Sequence, residues 1–274
     1  MTAYEFLGDW SGQLVATSIH AGHDLSPEIA ELMILDEDVR LREEDPFTDL
    51  IAARIPARVN VNRSRFESDL NRIRSKAVYR APEDCWGLQV WATDELPDDA
   101  VELALNGYDD FFGELAKRLD VLAERGPFVV YDVHSYNHRR HGADAPDEPF
   151  EENPEVNLGT GSVNHDTFGG VVGAFRQSML DQGFDLRENV KFKGQNLAWF
   201  IHDRYPGVGC VLAIEFKKTF MDEWTGEPDH GHIERLAAAL EQTQGPVLEA
   251  LAQIPERHIP RLRDPEEEPV EEGA

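Results

Sequence analysis

The sequence predicts an α/β fold in which helices cover both faces of a central sheet. Short apolar segments with strand character alternate along the chain with helix-like segments. Some of these strands, such as FVVYDV, are continuous apolar runs, which is typical of strands buried on both faces. With 274 residues, of which 41% are hydrophobic, the chain can build a large buried core, so global disorder is excluded.

The elements follow from local patterns. Strands are predicted at residues 15–19, 88–92, 128–133 and 210–216, and helices at 27–33, 47–55, 98–125, 169–183 and 232–252. The helix at 98–125 has the clearest signals, because acidic Asp98 and Asp99 lie in its first turn and Gly126 and Pro127 follow its end. No linker-like composition interrupts residues 1–262, which predicts a single domain. The acidic sequence after it predicts a disordered tail at 263–274.

Charge and cysteine content narrow the possible functions. The 53 acidic residues against 26 lysines and arginines give a net charge of -27, which argues against nucleic acid and membrane surfaces as partners. No apolar run reaches 18 residues and the N-terminus lacks a signal-like pattern, so we expect a soluble, cytoplasmic protein acting on a small molecule. Cys85 and Cys210 are far apart, which directs any metal to histidine and carboxylate ligands. Homo-oligomerisation is left open.

Three predicted strands run into residues that can bind or use a metal. VATSI leads to His20, FVVYDV leads to His134, and VLAI leads to Glu215. Sites in α/β sheets form at strand ends, and imidazole is a common zinc ligand. His23 adds an HxxH pattern in the loop after the first strand, a weak signal because a turn gives it no fixed geometry. Hydrogen-bonded structural histidines are the alternative interpretation.

Two further features each have a functional and a structural interpretation. Glu215 is a carboxylate in an apolar strand, suited to accept a proton from water, or to form an ion pair with Lys217 or Lys218. Residues 63–74 concentrate Arg63, Arg65, Arg72 and Arg74, which suggests capture of a small carboxylate or, alternatively, an ion-paired surface.

Taken together, these stretches resemble the N-formylglutamate amidohydrolase family, which is similar to the zinc carboxypeptidases, aspartoacylase and succinylglutamate desuccinylase. The matching motifs are, in order, IHAGHD, EEDPFTDLIA, SRFESDLNR, DVHS, NLGTG, FKGQN and AIEFKKTFMDE. The resemblance covers residues 15–225 and implies a three-layer αβα sandwich with a mixed central sheet, zinc carboxypeptidase-like and also described as phosphorylase/hydrolase-like.

The resemblance implies a single Zn²⁺ per chain. His20 and His134 match the metal-binding histidines of the family. For the third ligand we expect Asp45, with His23 as the second choice and Glu44 as the third, because relatives often carry at the His23 position an arginine that cannot bind zinc.

It also implies the roles of the remaining site residues. Asn71 and Arg72 match the pair that holds the carboxylate of the substrate, and Arg65 is a second candidate for that role or for polarising the scissile carbonyl. Glu215 matches the catalytic glutamate. The expected reaction is hydrolysis of an acidic N-acyl amino acid, with N-formyl-L-glutamate yielding formate and glutamate.

The chain departs from the family pattern in FKGQN and in the histidine-rich loop HSYNHRRHG. Both departures concern substrate identity more than chemistry. The alternatives are a carboxypeptidase or a deacylase for another N-acyl amino acid on the same fold, and a non-catalytic protein that binds carboxylates.

Overall fold

The computed structural model describes residues 2–93 and 96–255, in which seven strands and seven α-helices are formed. The strands are β1 (Tyr4–Leu7), β2 (Leu14–Ser18), β3 (Ala57–Val61), β4 (Phe128–Tyr136), β5 (Val156–Gly159), β6 (Leu186–Glu188) and β7 (Gly209–Lys217). The helices are α1 (Pro27–Ala30), α2 (Glu37–Glu43), α3 (Thr48–Ile51), α4 (Asp98–Ala123), α5 (His165–Asp181), α6 (Asn196–Arg204) and α7 (His230–Ala252). The predicted tail at 263–274 lies outside the described residues.

All seven strands belong to one mixed sheet, in the order β1-β3-β2-β4-β7-β5-β6. Strands β3, β2, β4 and β7 are parallel to one another, whereas β1 pairs antiparallel with β3 and β5 pairs antiparallel with β7. The parallel strands β2, β4 and β7 form the centre, so their carboxyl ends meet at one edge of the sheet. This edge receives the side chains that the sequence analysis singled out.

Alternation along the central strands separates two hydrophobic layers. Val129, Tyr131 and Val133 of β4 pack on one face with residues of α3, α5 and α7. Phe128 and Val130 of the same strand pack on the opposite face with residues of α4 and α6. Each face of the central strands is therefore covered by helices, and the predicted three-layer αβα sandwich with a mixed sheet is confirmed. None of the helices in the described residues is long and apolar enough to cross a membrane.

Most predicted elements are confirmed, with shifted ends. The strand predictions at 15–19, 128–133 and 210–216 correspond to β2, β4 and β7, and the long helix predictions correspond to α4, α5 and α7. α5 begins four residues earlier than predicted because the side chain of Asn164 accepts a hydrogen bond from Thr167 N at 3.2 Å. β4 extends further than predicted, so that His134 lies within it, and Glu215 lies within β7, as the predicted range 210–216 implied.

The prediction of a strand at residues 88–92 is wrong. Only Trp91 makes a β-type contact there, a single bridge to Met33. Val90 and Trp91 are buried, but in a separate hydrophobic cluster with Phe66 and Tyr79, away from the sheet. The apolar run therefore reflects burial in a side cluster, which sequence periodicity does not distinguish from a buried strand.

Two predicted helices are shorter than expected. The helix at 27–33 is only the single turn α1, and the helix at 47–55 divides into α3 and a 3₁₀ turn, Ala52–Arg54. Phe47 has a left-handed φ of 66°, which excludes it from α3, and Pro56 disfavours helical geometry at the residue before it. The segment nevertheless places Asp45 beside the sheet edge.

Candidate active site

Three of the predicted metal-binding residues meet at the carboxyl edge of the sheet. His20 follows β2, His134 lies in β4, and Asp45 lies between α2 and α3. His134 Nδ1 is 3.0 Å and His20 Nδ1 is 3.4 Å from Asp45 Oδ2. One ligand atom from each residue lies within 4.8 Å of the others, and all three residues are buried. Two imidazoles and a carboxylate around one point form a set of three protein ligands.

Each histidine is backed by a second carboxylate. His20 Nε2 lies 2.7 Å from Asp69 Oδ1, and Asp132 Oδ2 lies 3.0 Å from His134 Nε2. A carboxylate behind the ring is the usual way in which a metal-binding histidine is oriented. In the described part of the chain His20 Nδ1 is buried without a hydrogen-bond partner. This orphaned nitrogen beside a carboxylate fits a bound metal ion.

The charges of this cluster are strongly coupled. Burial alone would raise the pKa of Asp45, but its contacts with His134 and His20 outweigh that effect and hold the pKa below its usual value. Burial would lower the pKa of His134, yet Asp132 and Asp45 raise it well above 6.5. The carboxylates therefore favour positive charge at this point, from a protonated imidazole or from a metal ion.

Asp45 is held in place from several sides. Its backbone N–H donates to His20 O at 2.9 Å, and Ser135 Oγ donates to Asp45 Oδ1 at 3.2 Å. Just after β7, the buried Lys218 donates from Nζ to the carbonyl oxygens of Arg42 and Glu44, both at 2.6 Å. Lys218 thus ties the end of β7 to the backbone that carries Asp45.

His23 and Glu44, the second and third choices for the third metal ligand, lie outside the His20–Asp45–His134 group. His23 Nδ1 is 2.5 Å from Glu44 Oε2, and Arg40 Nη2 is 3.0 Å from His23 Nε2. The hydrogen bond to Glu44 raises the pKa of His23. Ser64 donates to the other oxygen of Glu44. Both side chains are therefore bound to each other and to neighbours, and neither lines the cavity described below.

Glu215 is paired in register with His134 on the neighbouring strand. In the described residues it forms no ion pair with Lys217 or Lys218, so the structural alternative from the sequence analysis does not hold. Burial raises the pKa of Glu215 to about 8, while the nearby charge of His134 opposes the shift. A carboxyl group with a pKa near neutrality is suited to accept and return a proton.

The arginine-rich segment has two different environments. Arg65 and Arg72 face the site and share Asp69, with Arg65 Nη2 at 2.7 Å and Arg72 Nε at 3.5 Å from Asp69 Oδ2. Arg63 pairs with Glu67, and the exposed Arg74 pairs with Asp109 at 2.7 Å. The ion-paired interpretation therefore holds for Arg63 and Arg74, and the remaining two arginines are candidates for substrate contact.

Asn71 is also at the site. Its backbone N–H donates to Asp69 Oδ1 at 2.9 Å, and its side-chain oxygen accepts from Leu197 N at the start of α6 at 3.3 Å. In the described part of the chain this leaves the amide nitrogen of Asn71 free to donate. Together with the Arg72 guanidinium, it offers donors suited to a carboxylate.

A cavity of about 170 Å³ joins these groups. The predicted residues that line it are His20, Asp45, Arg65, Asn71, Arg72, His134 and Glu215. Part of its wall is built by FKGQN, which contributes Phe192 and Gln195. The NLGTG loop packs directly behind it, since a Cβ on Gly159 would lie 2.7 Å from Gly194 N. The two glycine-containing motifs therefore shape one wall of the cavity.

Several residues of the site were not predicted. Asp69 lies in the SRFESDLNR motif, and its i,i+4 spacing from Arg65 was the available signal for the ion pair between them. Lys218 was considered only as a partner for Glu215. Arg140, which lines the cavity from the loop after β4, had no local signal beyond its place in the histidine-rich segment.

Comparison with known structures gives the same architecture. An N-formylglutamate amidohydrolase from Ralstonia eutropha is similar with a TM-score of 0.72 and 17% identity, over 91% of this chain and 97% of that one. A gene product of Agrobacterium tumefaciens gives a TM-score of 0.67 and 15% identity, over 92% and 97%. A metallo-carboxypeptidase from Burkholderia cenocepacia overlaps at a TM-score of 0.35 and 14% identity, over 87% and 56%, from which we draw no conclusion. No curated protein matches by sequence.

The fold and the similar structures define an α/β protein with a mixed central sheet. The N-formylglutamate amidohydrolase family model matches residues 12–221, most of the chain. The chain therefore belongs to the N-formylglutamate amidohydrolase family, as its motifs predicted, and is a hydrolase of the amidohydrolase type.

Proposed function

We propose that this protein is a zinc-dependent amidohydrolase that cleaves the N-acyl amide of an acidic N-acyl amino acid, with N-formyl-L-glutamate as the preferred substrate. The observation that carries the proposal is the juxtaposition, in one cavity, of the His20–Asp45–His134 group, the partly buried Glu215 and the carboxylate-binding pair Asn71 and Arg72. Its products are formate and glutamate.

His20, Asp45 and His134 hold the zinc ion. Asp69 and Asp132 orient the two imidazoles from behind, and Lys218 fixes the backbone before Asp45. When bound, Zn²⁺ supplies Lewis acidity, which polarises the scissile carbonyl and acidifies water. The three ligands are buried, so an ion held at this point would be enclosed largely by protein.

The other residues bind the substrate and move protons. Asn71 and Arg72 hold the carboxylate of the amino acid and so orient the amide bond. Arg65 stabilises negative charge on the carbonyl oxygen, an effect worth roughly 3–4 kcal/mol for one well-placed donor. Glu215 accepts a proton from the attacking water and transfers it to the nitrogen of the leaving amine.

A second candidate function is a deacylase for a larger acyl group. A further cavity of about 140 Å³ adjoins the first, and both are lined by Glu43, Trp86, Asn137 and Arg140. This extra space favours acyl groups larger than formyl. In either case we propose a small-molecule substrate and a cytoplasmic location, supported by a net charge of -27 that disfavours anionic polymers and membranes.

Product analysis tests the proposal. Purified protein loaded with Zn²⁺ is incubated with N-formyl-, N-acetyl- and N-succinyl-L-glutamate and with a dipeptide that ends in glutamate, and the released acid and amine are measured. We expect the highest kcat/KM for the formyl compound. Preference for the succinyl compound would support the larger deacylase, and preference for the dipeptide would support a carboxypeptidase. Binding of glutamate without turnover of any compound would indicate a non-catalytic protein.

A further inference from the structure

Arg140 is a cation of the cavity for which the described residues provide no partner. It lies in the loop that follows β4, within the histidine-rich segment that departs from the family pattern. In the residues that the structure describes, its guanidinium makes no hydrogen bond, ion pair or aromatic contact. The chain has 53 acidic residues against 26 lysines and arginines, yet no described carboxylate lies within ion-pair distance of Arg140. An unpaired arginine that lines a cavity is therefore available for an anionic ligand.

The other cations of the cavity are already engaged. Arg65 and Arg72 share Asp69, and Lys218 donates to two backbone carbonyl groups. The neighbouring Arg139 pairs with Asp222 at 2.8 Å and contributes only to the adjoining cavity. Arg140 lines both cavities, so its charge faces the space beyond the group that holds the metal.

We propose that Arg140 is a specificity-determining residue, which binds a second carboxylate of the substrate, distinct from the carboxylate held by Asn71 and Arg72. This inference rests on the proposed function and refines its substrate class. The second carboxylate belongs either to the amino-acid side chain, as in glutamate, or to the acyl group, as in a succinyl compound. In both cases the planar guanidinium offers two parallel hydrogen bonds to the carboxylate.

The test compares Arg140→Gln with the wild-type protein on two pairs of substrates. The first pair is N-formyl-L-glutamate and N-formyl-L-glutamine, which differ in the side-chain carboxylate. The second pair is N-succinyl-L-glutamine and N-butanoyl-L-glutamine, which differ in the acyl carboxylate. We expect Arg140→Gln to lower kcat/KM for the charged member of one pair by roughly 10- to 100-fold and to change its neutral member by less than about threefold. The affected pair identifies the source of the carboxylate.

Two controls make the result specific. Arg140→Lys retains the charge and should recover part of the preference, whereas Arg176→Gln removes an exposed arginine of α5 that lines neither cavity and should leave the preference ratio unchanged. Since Arg140 is exposed and makes no hydrogen bond, ion pair or aromatic contact with the described residues, its replacement should not affect folding. Dissociation constants of L-glutamate, L-glutamine and the two compounds of the second pair, measured by calorimetry, give a second readout that does not depend on turnover.

Equal losses for charged and neutral members, or no loss in either pair, would overturn the role of Arg140. If the wild-type protein turned over none of these compounds, the proposed function would fail, and the calorimetric preference would then decide the role of Arg140. Tighter binding of L-glutamate than of L-glutamine, or of N-succinyl-L-glutamine than of N-butanoyl-L-glutamine, that is lost in Arg140→Gln would support the role, and unchanged ratios in both pairs would refute it.

Discussion

Glu215 is the residue on which the chemistry depends most. It is a partly buried carboxyl group beside His134, with a pKa raised to about 8, and it forms no ion pair with another described residue. A nearby bound cation would favour its ionised form, because the attraction grows in a site shielded from water. The proton-transfer role thus follows from its place in the cavity.

Glu215→Gln should therefore retain zinc and lose activity. Glutamine has nearly the same size and cannot accept the proton, so we expect kcat to fall by roughly 10²- to 10⁴-fold. The measurement is formate release together with zinc content of the purified variant. Near-normal turnover would refute the role, and loss of zinc would show that Glu215 acts in metal binding.

His202 affects stability more than chemistry. Its Nε2 accepts the backbone N–H of Val211 in β7 at 2.9 Å, and its Nδ1 lies 2.9 Å from Ser162 Oγ. Burial lowers its pKa from 6.5 to about 4. As the pH falls, His202 therefore binds a proton near pH 6.5 in the unfolded chain, but only near pH 4 in the folded chain.

This difference predicts loss of stability in acid. Between pH 6.5 and 4, the titration of His202 should lower the free energy of unfolding by up to about 3 kcal/mol. Urea unfolding at pH 7 and 4.5 measures it. Over this interval the free energy of unfolding should fall less for His202→Gln than for the wild-type protein. His230→Gln, a change at an exposed histidine, should lose as much stability as the wild-type protein. Equal losses in all three proteins would contradict the prediction.

The sequence identified the residues of the site better than their partners. His20, His134 and Glu215 stand in recognisable motifs at or near the ends of predicted strands, Asp45 stands in the EEDPFTDLIA motif, and the fold brings these four residues together. Asp69 and Lys218 contact residues distant in the sequence, and Arg140 makes no described contact that a local pattern could indicate, so local patterns gave these three residues little or no role. The fold groups Asp45, and not His23, with His20 and His134, and the choice between them as metal ligand stays a prediction.

At the scale of elements, the connection between α2 and α3 carries Asp45 without regular structure of its own. It is held by Lys218 at the end of β7, whose ammonium group is buried and whose pKa is lowered by that burial. Loss of this group would leave two backbone carbonyl groups unpaired and release the segment. Lys218 thus couples the central sheet to the segment that carries Asp45.

Lys218→Met should weaken zinc binding while preserving the fold. Methionine fills similar space but cannot donate, and removal of outer contacts of this kind typically reduces metal affinity by about 10- to 100-fold. Competition with a chromophoric chelator measures the dissociation constant. Lys217→Met is the matched control, because Lys217 lies one residue away and is not hydrogen-bonded to this segment. Equal zinc affinity in both variants would contradict the role of Lys218.

The elements also show where sequence patterns are informative. Long amphipathic helices and continuous apolar strands were predicted, because each has a clear pattern of apolar residues over many positions. The short helices α2 and α6 and the strand β3 were not predicted. α2 is mostly charged, and β3 alternates polar and apolar residues over only five positions. Residues 88–92 were misassigned because burial against other loops produces the same apolar run.

At the scale of the whole molecule, the net charge of -27 opposes an anionic substrate. The cations of the cavity attract the substrate locally, but the surrounding field repels it during approach. Salt weakens the long-range repulsion, because the Debye length falls from about 30 Å at 0.01 M to about 10 Å at 0.1 M ionic strength.

The activity should therefore rise with moderate salt. We expect kcat/KM for the doubly charged N-formyl-L-glutamate to increase by roughly 2- to 10-fold between 0.01 and 0.1 M salt. The singly charged N-formyl-L-glutamine should increase less. Initial rates at several salt concentrations test this, and an equal or inverse response of the two substrates would show that the global charge does not govern approach.

The central claim is that a metal ion held by His20, Asp45 and His134 is required for amide hydrolysis. The most direct measurement is a zinc titration of metal-free protein, in which bound zinc and formate release are followed together for the wild type, Asp45→Asn and His23→Gln. We predict no release without zinc, full activity at one equivalent in the wild type and in His23→Gln, and at least about tenfold weaker zinc binding in Asp45→Asn. Full formate release by the metal-free protein, or wild-type zinc binding by Asp45→Asn, would contradict the account.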